Sequence, residues 1–147
     1  MSPLAVVLMV VGIFALVVGI NLAVWIPVIR RLRRMPDQLR EELAGEAIVR
    51  GPERASYRGA TGGYSKAGSI GVAVLTERRL IFRKPFGAPI EVPRGEIASV
   101  RDARVFRRSV AAGRTHTIVK LTSGAELGFY FADAAAWEAA LREPPSA

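Results

Sequence analysis

Leu4-Ala5-Val6-Val7-Leu8-Met9-Val10-Val11-Gly12-Ile13-Phe14-Ala15-Leu16-Val17-Val18-Gly19-Ile20-Asn21-Leu22-Ala23-Val24-Trp25-Ile26-Pro27-Val28-Ile29 is followed at once by Arg30-Arg31-Leu32-Arg33-Arg34. As a helix this apolar run extends about 39 Å, more than the ~30 Å hydrocarbon layer of a bilayer. Asn21 is its one polar side chain, and none is charged. The reading is a membrane anchor over residues 1–29, a basic juxtamembrane linker with a short helix over 30–45, a folded domain over 46–142 and a tail over 143–147.

Arg30, Arg31, Arg33 and Arg34 form the cation cluster beside the run, with only Met1, Ser2 and Pro3 on its other side. Cytoplasmic flanks collect Lys and Arg, so the N-terminus is expected outside and the rest of the chain inside. That makes a single-pass protein of the inner (plasma) membrane. A cleaved signal peptide would need a basic start, a shorter apolar core and a small-residue cleavage site, which Trp25-Ile26-Pro27-Val28-Ile29-Arg30 does not offer. Trp25 and Pro27 suit the membrane interface. Gly12, Gly19 and Asn21 are the positions where a partner helix could pack or hydrogen-bond.

The formal net charge is +8. The four flanking arginines supply half of it, and their ordinary role is orientation and contact with anionic headgroups. No zinc-ligand spacing, paired RNA-binding aromatics or recognition-helix pattern accompanies the rest, so nucleic acid is not an expected partner.

Residues 35–45 read as a short polar helix, with Asp37 as its N-cap and Gly45 as its stop. From Glu46 the pattern changes to short strands. Residues 55–58 form the first, weakened upstream by Pro52, and a glycine-rich stretch over 59–71 follows. Residues 71–76 and 79–83 form a hairpin turning at Glu77-Arg78, with Leu80 and Phe82 on one side and Arg79, Ile81 and Arg83 on the other. Residues 90–92 make a strand ended by Pro93, and another lies within 97–106. A basic loop over 107–114 leads to strands 115–121 and 126–131, joined across Thr122-Ser123-Gly124-Ala125. Leu127, Phe129 and Phe131 share a face. Asp133 caps a final helix, 134–142, whose Trp137 and Leu141 lie one turn apart. The fold class is a single N-terminal transmembrane helix plus a mainly-β small barrel of about seven antiparallel strands, capped by a C-terminal helix that plugs an open end.

Leu75-Thr76-Glu77-Arg78-Arg79-Leu80-Ile81-Phe82 resembles the hairpin of GRAM and bacterial PH-like domains. Ile90-Glu91-Val92-Pro93-Arg94-Gly95-Glu96-Ile97-Ala98-Ser99-Val100 resembles a later segment of the same family. Residues 121–141, with Ser123-Gly124, Leu127-Gly128-Phe129 and Trp137, resemble its last hairpin and helix. The resemblance covers residues 46–141 and implies a PH superfold of two bent sheets closed by one helix. Such a fold commonly serves as a binding module and not as a catalyst. The chain departs from the pattern in its long glycine-rich stretch and in lacking a run of alternating Lys and Arg along the first two strands, as headgroup pockets of eukaryotic PH domains often show.

Catalytic chemistry has little to stand on. His116 is the single histidine and cysteine is absent. His116, between Thr115 and Thr117, reads as an ordinary strand residue. Ser109 and Ser123 lack a nucleophile-elbow context. The expectation is a non-enzyme with no cofactor and no metal. The contact residues for a lipid or partner are Lys66, then Arg78, Arg79, Arg83 and Lys84 after the first hairpin, and Arg104, Arg107, Arg108 and Arg114 around the basic loop. The leading reading is an adaptor that positions a protein partner, docking at the open barrel edge or at the 59–71 stretch. Its alternatives are a sensor of anionic headgroups using the basic loops, and a small accessory subunit of a larger membrane complex.

Overall fold

The computed structural model describes residues 2–106, 109–110 and 115–146, with backbone alone at 109 and 110. They divide into two compact units, Met1–Arg34 and Met35–Ala147. In the first, the helix α1 (Pro3–Glu42) begins, and almost every side chain of the apolar run is exposed. Asn21 Nδ2 donates to the carbonyl of Val17 at 2.8 Å, so its amide is engaged by its own helix.

In the second unit nine strands and a helix follow: β1 (Ile48–Ala60), β2 (Ser69–Thr76), β3 (Arg79–Arg83), β4 (Ile90–Pro93), β5 (Ile97–Ala103), β6 (Val105–Phe106), β7 (Ser109–Val110), β8 (His116–Leu121), β9 (Glu126–Phe131) and α2 (Ala134–Arg142). Seven strands form one antiparallel sheet in the order β4-β3-β2-β1-β9-β8-β5. The strands β6 and β7 form a separate two-stranded ribbon. The expected seven antiparallel strands and closing helix are present, and α2 has the expected bounds with Asp133 Oδ1 accepting from Ala136 N–H.

The first strand is far longer than the four residues expected. It carries Pro52 where the β1–β2 ladder shifts register, between Arg50 and Glu53, a place where a strand can lack an N–H. A second shift on the β9 side falls between Tyr57 and Gly59, where glycine takes φ +99°. With these irregularities β1 pairs with both neighbours, and the sheet curls around one core. Residues from both ends of the sheet, Val92 of β4 and Val100 of β5, belong to that core, with Tyr57, Phe82 and Phe129 between them. Trp137 of α2 closes it. Its ring stacks on Phe131 at 4.3 Å, and its indole N–H reaches Glu53 Oε2 at 2.9 Å.

On β2 and β3 the sheet carries an apolar patch on its other side as well. Val72, Val74 and Ile81 point away from the core yet are fully buried. So are Met35, Leu39 and Leu43, spaced by four along the end of α1. Two ion pairs set that segment over the sheet: Glu42 meets Arg83, and Glu46 meets Arg79, both on the outward side of β3. The stretch expected as a spacer thus belongs to the body of the domain, and the compact unit starts at Met35 and not at Glu46. Asp37, expected as an N-cap, lies inside α1 and pairs with Arg40 at 3.0 Å.

A Leu39→Ala substitution should lower the unfolding free energy by about 2–5 kcal/mol, as for other buried leucines. Exposed Glu41→Ala should change it little. Urea unfolding followed by near-UV circular dichroism checks this, and a spacer role for residues 35–43 requires the two variants to behave alike.

Candidate docking surface

The glycine-rich stretch does not form one open loop. Its first two residues complete β1, its last three belong to β2, and residues 61–68 fold back against the β8–β9 turn. The N–H of Thr61 donates to the carbonyl of Glu126, and the N–H of Glu126 donates to Thr61 Oγ1, both at 2.9 Å. The Tyr57 hydroxyl donates to the carbonyl of Ser65 at 2.5 Å. Gly62, at φ +78°, comes so near Ala125 that a Cβ there would collide with it. Between loop and turn lies a concavity of about 600 Å³ lined by Thr61, Gly62, Gly63, Tyr64, Ser123, Gly124 and Ala125. Burial, and next the charge of Glu96, raise the Tyr64 hydroxyl above its ordinary range, so it stays a neutral donor.

The open sheet edges are poorer surfaces. Strand β4 has four residues and ends at Pro93, and Arg79 engages its Glu91. On β5 the carbonyl of Val100 already accepts from Arg142 of α2 at 3.1 Å. Short, bonded edges resist an added strand.

The basic residues expected to make contact are divided. Arg79 bonds to Glu46 and Glu91, and Arg83 forms a two-armed pair with Glu42, so both are held inside the domain. Arg78 is exposed at the β2–β3 turn, Lys84 is half-buried where β3 ends, Lys66 is exposed in the 61–68 loop, and Arg104 is exposed between β5 and β6. Arg107, Arg108 and Arg114 lie outside the described residues. Arg30, Arg31, Arg33 and Arg34 are all exposed on α1.

Arg94 went unremarked in the sequence and is the most buried cation among the described residues of the domain. From a 3₁₀ turn (Arg94–Glu96) its guanidinium reaches Glu77 at 3.3 Å and donates to the carbonyls of Ala140 and Glu143 at 3.1 and 2.7 Å. It thereby satisfies carbonyls at the end of α2 that the helix leaves without partners. His116 opens β8 as a strand residue, as expected, and is fully buried, edge-on to Tyr130 with centroids 6.3 Å apart. Among the described residues neither of its ring nitrogens has a hydrogen-bond partner.

The chain matches no protein-family profile and no curated protein. Nine chains of known structure match it. One is the C-terminal domain of an unknown protein from Leishmania infantum, 19% identical, with a TM-score of 0.50 over 77% of this chain and 94% of that one. At that identity the likeness concerns the fold alone.

The hydrogen bond from Arg83 holds the Glu42 carboxyl below its ordinary pKa, and that from Arg79, helped by Thr76, does the same for Glu46. A carboxyl depressed by folding stabilises the fold above its unfolded value near 4.5, and that contribution is lost as pH falls through the folded value. Glu46→Gln should therefore weaken the fold at pH 7, by on the order of 1–2 kcal/mol. It should also flatten the acid limb of stability below pH ~4.5. Urea midpoints measured between pH 3 and 7 read both effects.

Proposed function

We propose that the chain is a membrane-anchored PH-like binding module that holds a protein partner at the cytoplasmic face of the inner membrane, without catalysing a reaction. The observation that carries this reading is the apolar surface of α1. It is the one helix among the described residues long and apolar enough to cross a membrane, and none of its apolar window is buried by the protein. Side chains such as Leu8, Phe14, Leu16 and Leu22 are more than half exposed, which in water is an aggregating surface and in lipid is none. The exposed arginines at 30, 31, 33 and 34 favour an inward-facing domain. The strand order, the closing helix and the hairpin around Leu75–Phe82 support the PH-like assignment.

The concavity walled by residues 61–64 and 123–125 is the surface best suited to the partner. It is pinned by hydrogen bonds, lined by small residues and one neutral Tyr hydroxyl, and free of paired charge. Chemically this suits a peptide or loop that offers its backbone, and suits a headgroup phosphate poorly.

The full-length protein should stay with membranes through alkaline carbonate washing, and protease added outside intact cells should leave residues 35–147 uncut. Affinity capture from mildly solubilised membranes should return a stoichiometric partner. Gly63→Arg, at a position where a Cβ meets no neighbouring atom, should abolish that capture while leaving membrane retention unchanged. Unaltered capture by this variant would remove the concavity from the proposal. Salt-sensitive binding to anionic vesicles that Arg107→Ala/Arg108→Ala abolishes would replace the adaptor by the headgroup sensor. Loss of the complex in Asn21→Leu would instead mark an accessory subunit.

A further inference from the structure

We propose that the β3–β4 loop, residues 84–89, is a membrane-contact element that seats Phe86 in the interfacial layer of the bilayer. The inference rests on the anchor reading of α1 and adds to it a second point of contact, made by the β domain itself.

The argument begins with the two ion pairs on β3. Glu46 meets Arg79 and Glu42 meets Arg83, so going backwards along the chain from Glu46 is going forwards along β3. Beyond Glu42 the helix rises ~10 Å back to Met35, and the three residues from Arg83 to Phe86 span the same ~10 Å if extended. The buried Met35 and Leu39 keep this part of the helix on the domain. The 84–89 loop and the point where the chain enters the domain therefore lie at one end of the unit. The apolar run stops at Ile29, six positions before Met35. Six residues reach roughly 20 Å at most, so the point of entry stays close to the lipid surface.

What the loop presents at that end is apolar. Phe86 is 65% exposed, the most exposed large apolar side chain among the described residues of the second unit. The loop reads Lys84-Pro85-Phe86-Gly87-Ala88-Pro89, with one cation and no acid. Ile70 is 47% exposed, two residues beyond the Val72–Arg83 pair on the neighbouring strand, and so sits at the same end. Of the charges at this end, Arg83 and Glu42 neutralise each other and Arg40 pairs with Asp37. An aromatic tip with a flanking lysine and no acid in its loop fits the interfacial layer, where apolar insertion sets the affinity.

The chain contains no cysteine, so a single introduced thiol labels one place. Full-length Phe86→Cys, Arg78→Cys and Ala15→Cys variants, each carrying an NBD fluorophore, would be reconstituted in phosphatidylcholine–phosphatidylglycerol vesicles. Arg78 is exposed at the opposite end of β3 and serves as the reference. The Phe86 probe should emit to the blue of the Arg78 probe and lose emission to lipids bearing a nitroxide near the headgroup. The Arg78 probe should do neither, and the Ala15 probe should be quenched by nitroxides deep in the acyl chains. A quenched Ala15 probe beside a Phe86 probe as wet as Arg78 overturns the loop contact and leaves the anchor standing. An unquenched Ala15 probe overturns both. A Phe86 probe that is blue-shifted but untouched by lipid nitroxides assigns the loop to a protein contact and overturns the proposal.

Discussion

The constraint on which the domain depends is that β2 is apolar on both faces, with Ile81 of β3 beside its outward valines. Ala73, Leu75, Leu80 and Phe82 fill the core, and Val72, Val74 and Ile81 would fill a second one if something covered them. An antiparallel sheet ordinarily gives one face to water. Here the last turns of α1 supply the cover with Met35, Leu39 and Leu43, and two carboxylate–guanidinium pairs fix its position along β3. The consequence reaches beyond stability. The arginines that seem free to meet a ligand are committed to holding the helix, and the open end of β3 is the end at which the chain enters.

Much of the fold was legible because its signals are local. The turn residues Glu77-Arg78 and Thr122-Ser123-Gly124-Ala125 fall between runs of alternating polarity, and Asp133 precedes a run of alanines with Trp137 and Leu141 one turn apart. These place β2, β3, β8, β9 and α2 nearly to the residue. The first strand was hidden because Pro52 and Gly51 read as a break, whereas the structure absorbs them in a shift of register that only the neighbouring strand could reveal. The cover on β2 and β3 was misread for a related reason. Residues 35–45 are charged enough to resemble a solvated spacer, yet the i, i+4 stripe of Met35, Leu39 and Leu43 was present, and so was the surplus of valines on β2. Either signal alone is common; together they ask for each other.

The site was less legible, since charge in a sequence does not show its partner. Arg79 and Arg83 look like Arg78 in the string of letters and differ from it by carboxylates 33 and 41 residues away. Arg94 is hidden further, because its acceptors are backbone carbonyls at the end of α2, which no side-chain pattern announces. The concavity beside Tyr64 depends on two loops meeting, and the letters of each loop alone describe a flexible glycine run.

The distribution of cations bears on how such a module would work at a membrane. Half of the net charge of +8 sits in the four arginines beside the apolar run, where it sets orientation. In the domain, Arg79, Arg83, Arg94 and Arg101 are each paired with a carboxylate. From those paired cations the domain gains little attraction to anionic lipid at long range. Held by a short tether, however, it meets the surface at a high effective concentration whatever its charge. Under those conditions a single exposed aromatic tip is enough to bias which end faces the lipid. Retained charge would add salt sensitivity without adding direction, because it would attract every basic face of the domain alike. The pairing of arginines with the carboxylates of residues 42 and 46 therefore holds the cover on the second apolar patch, and at a membrane it would leave the choice of facing end to shape and apolar surface.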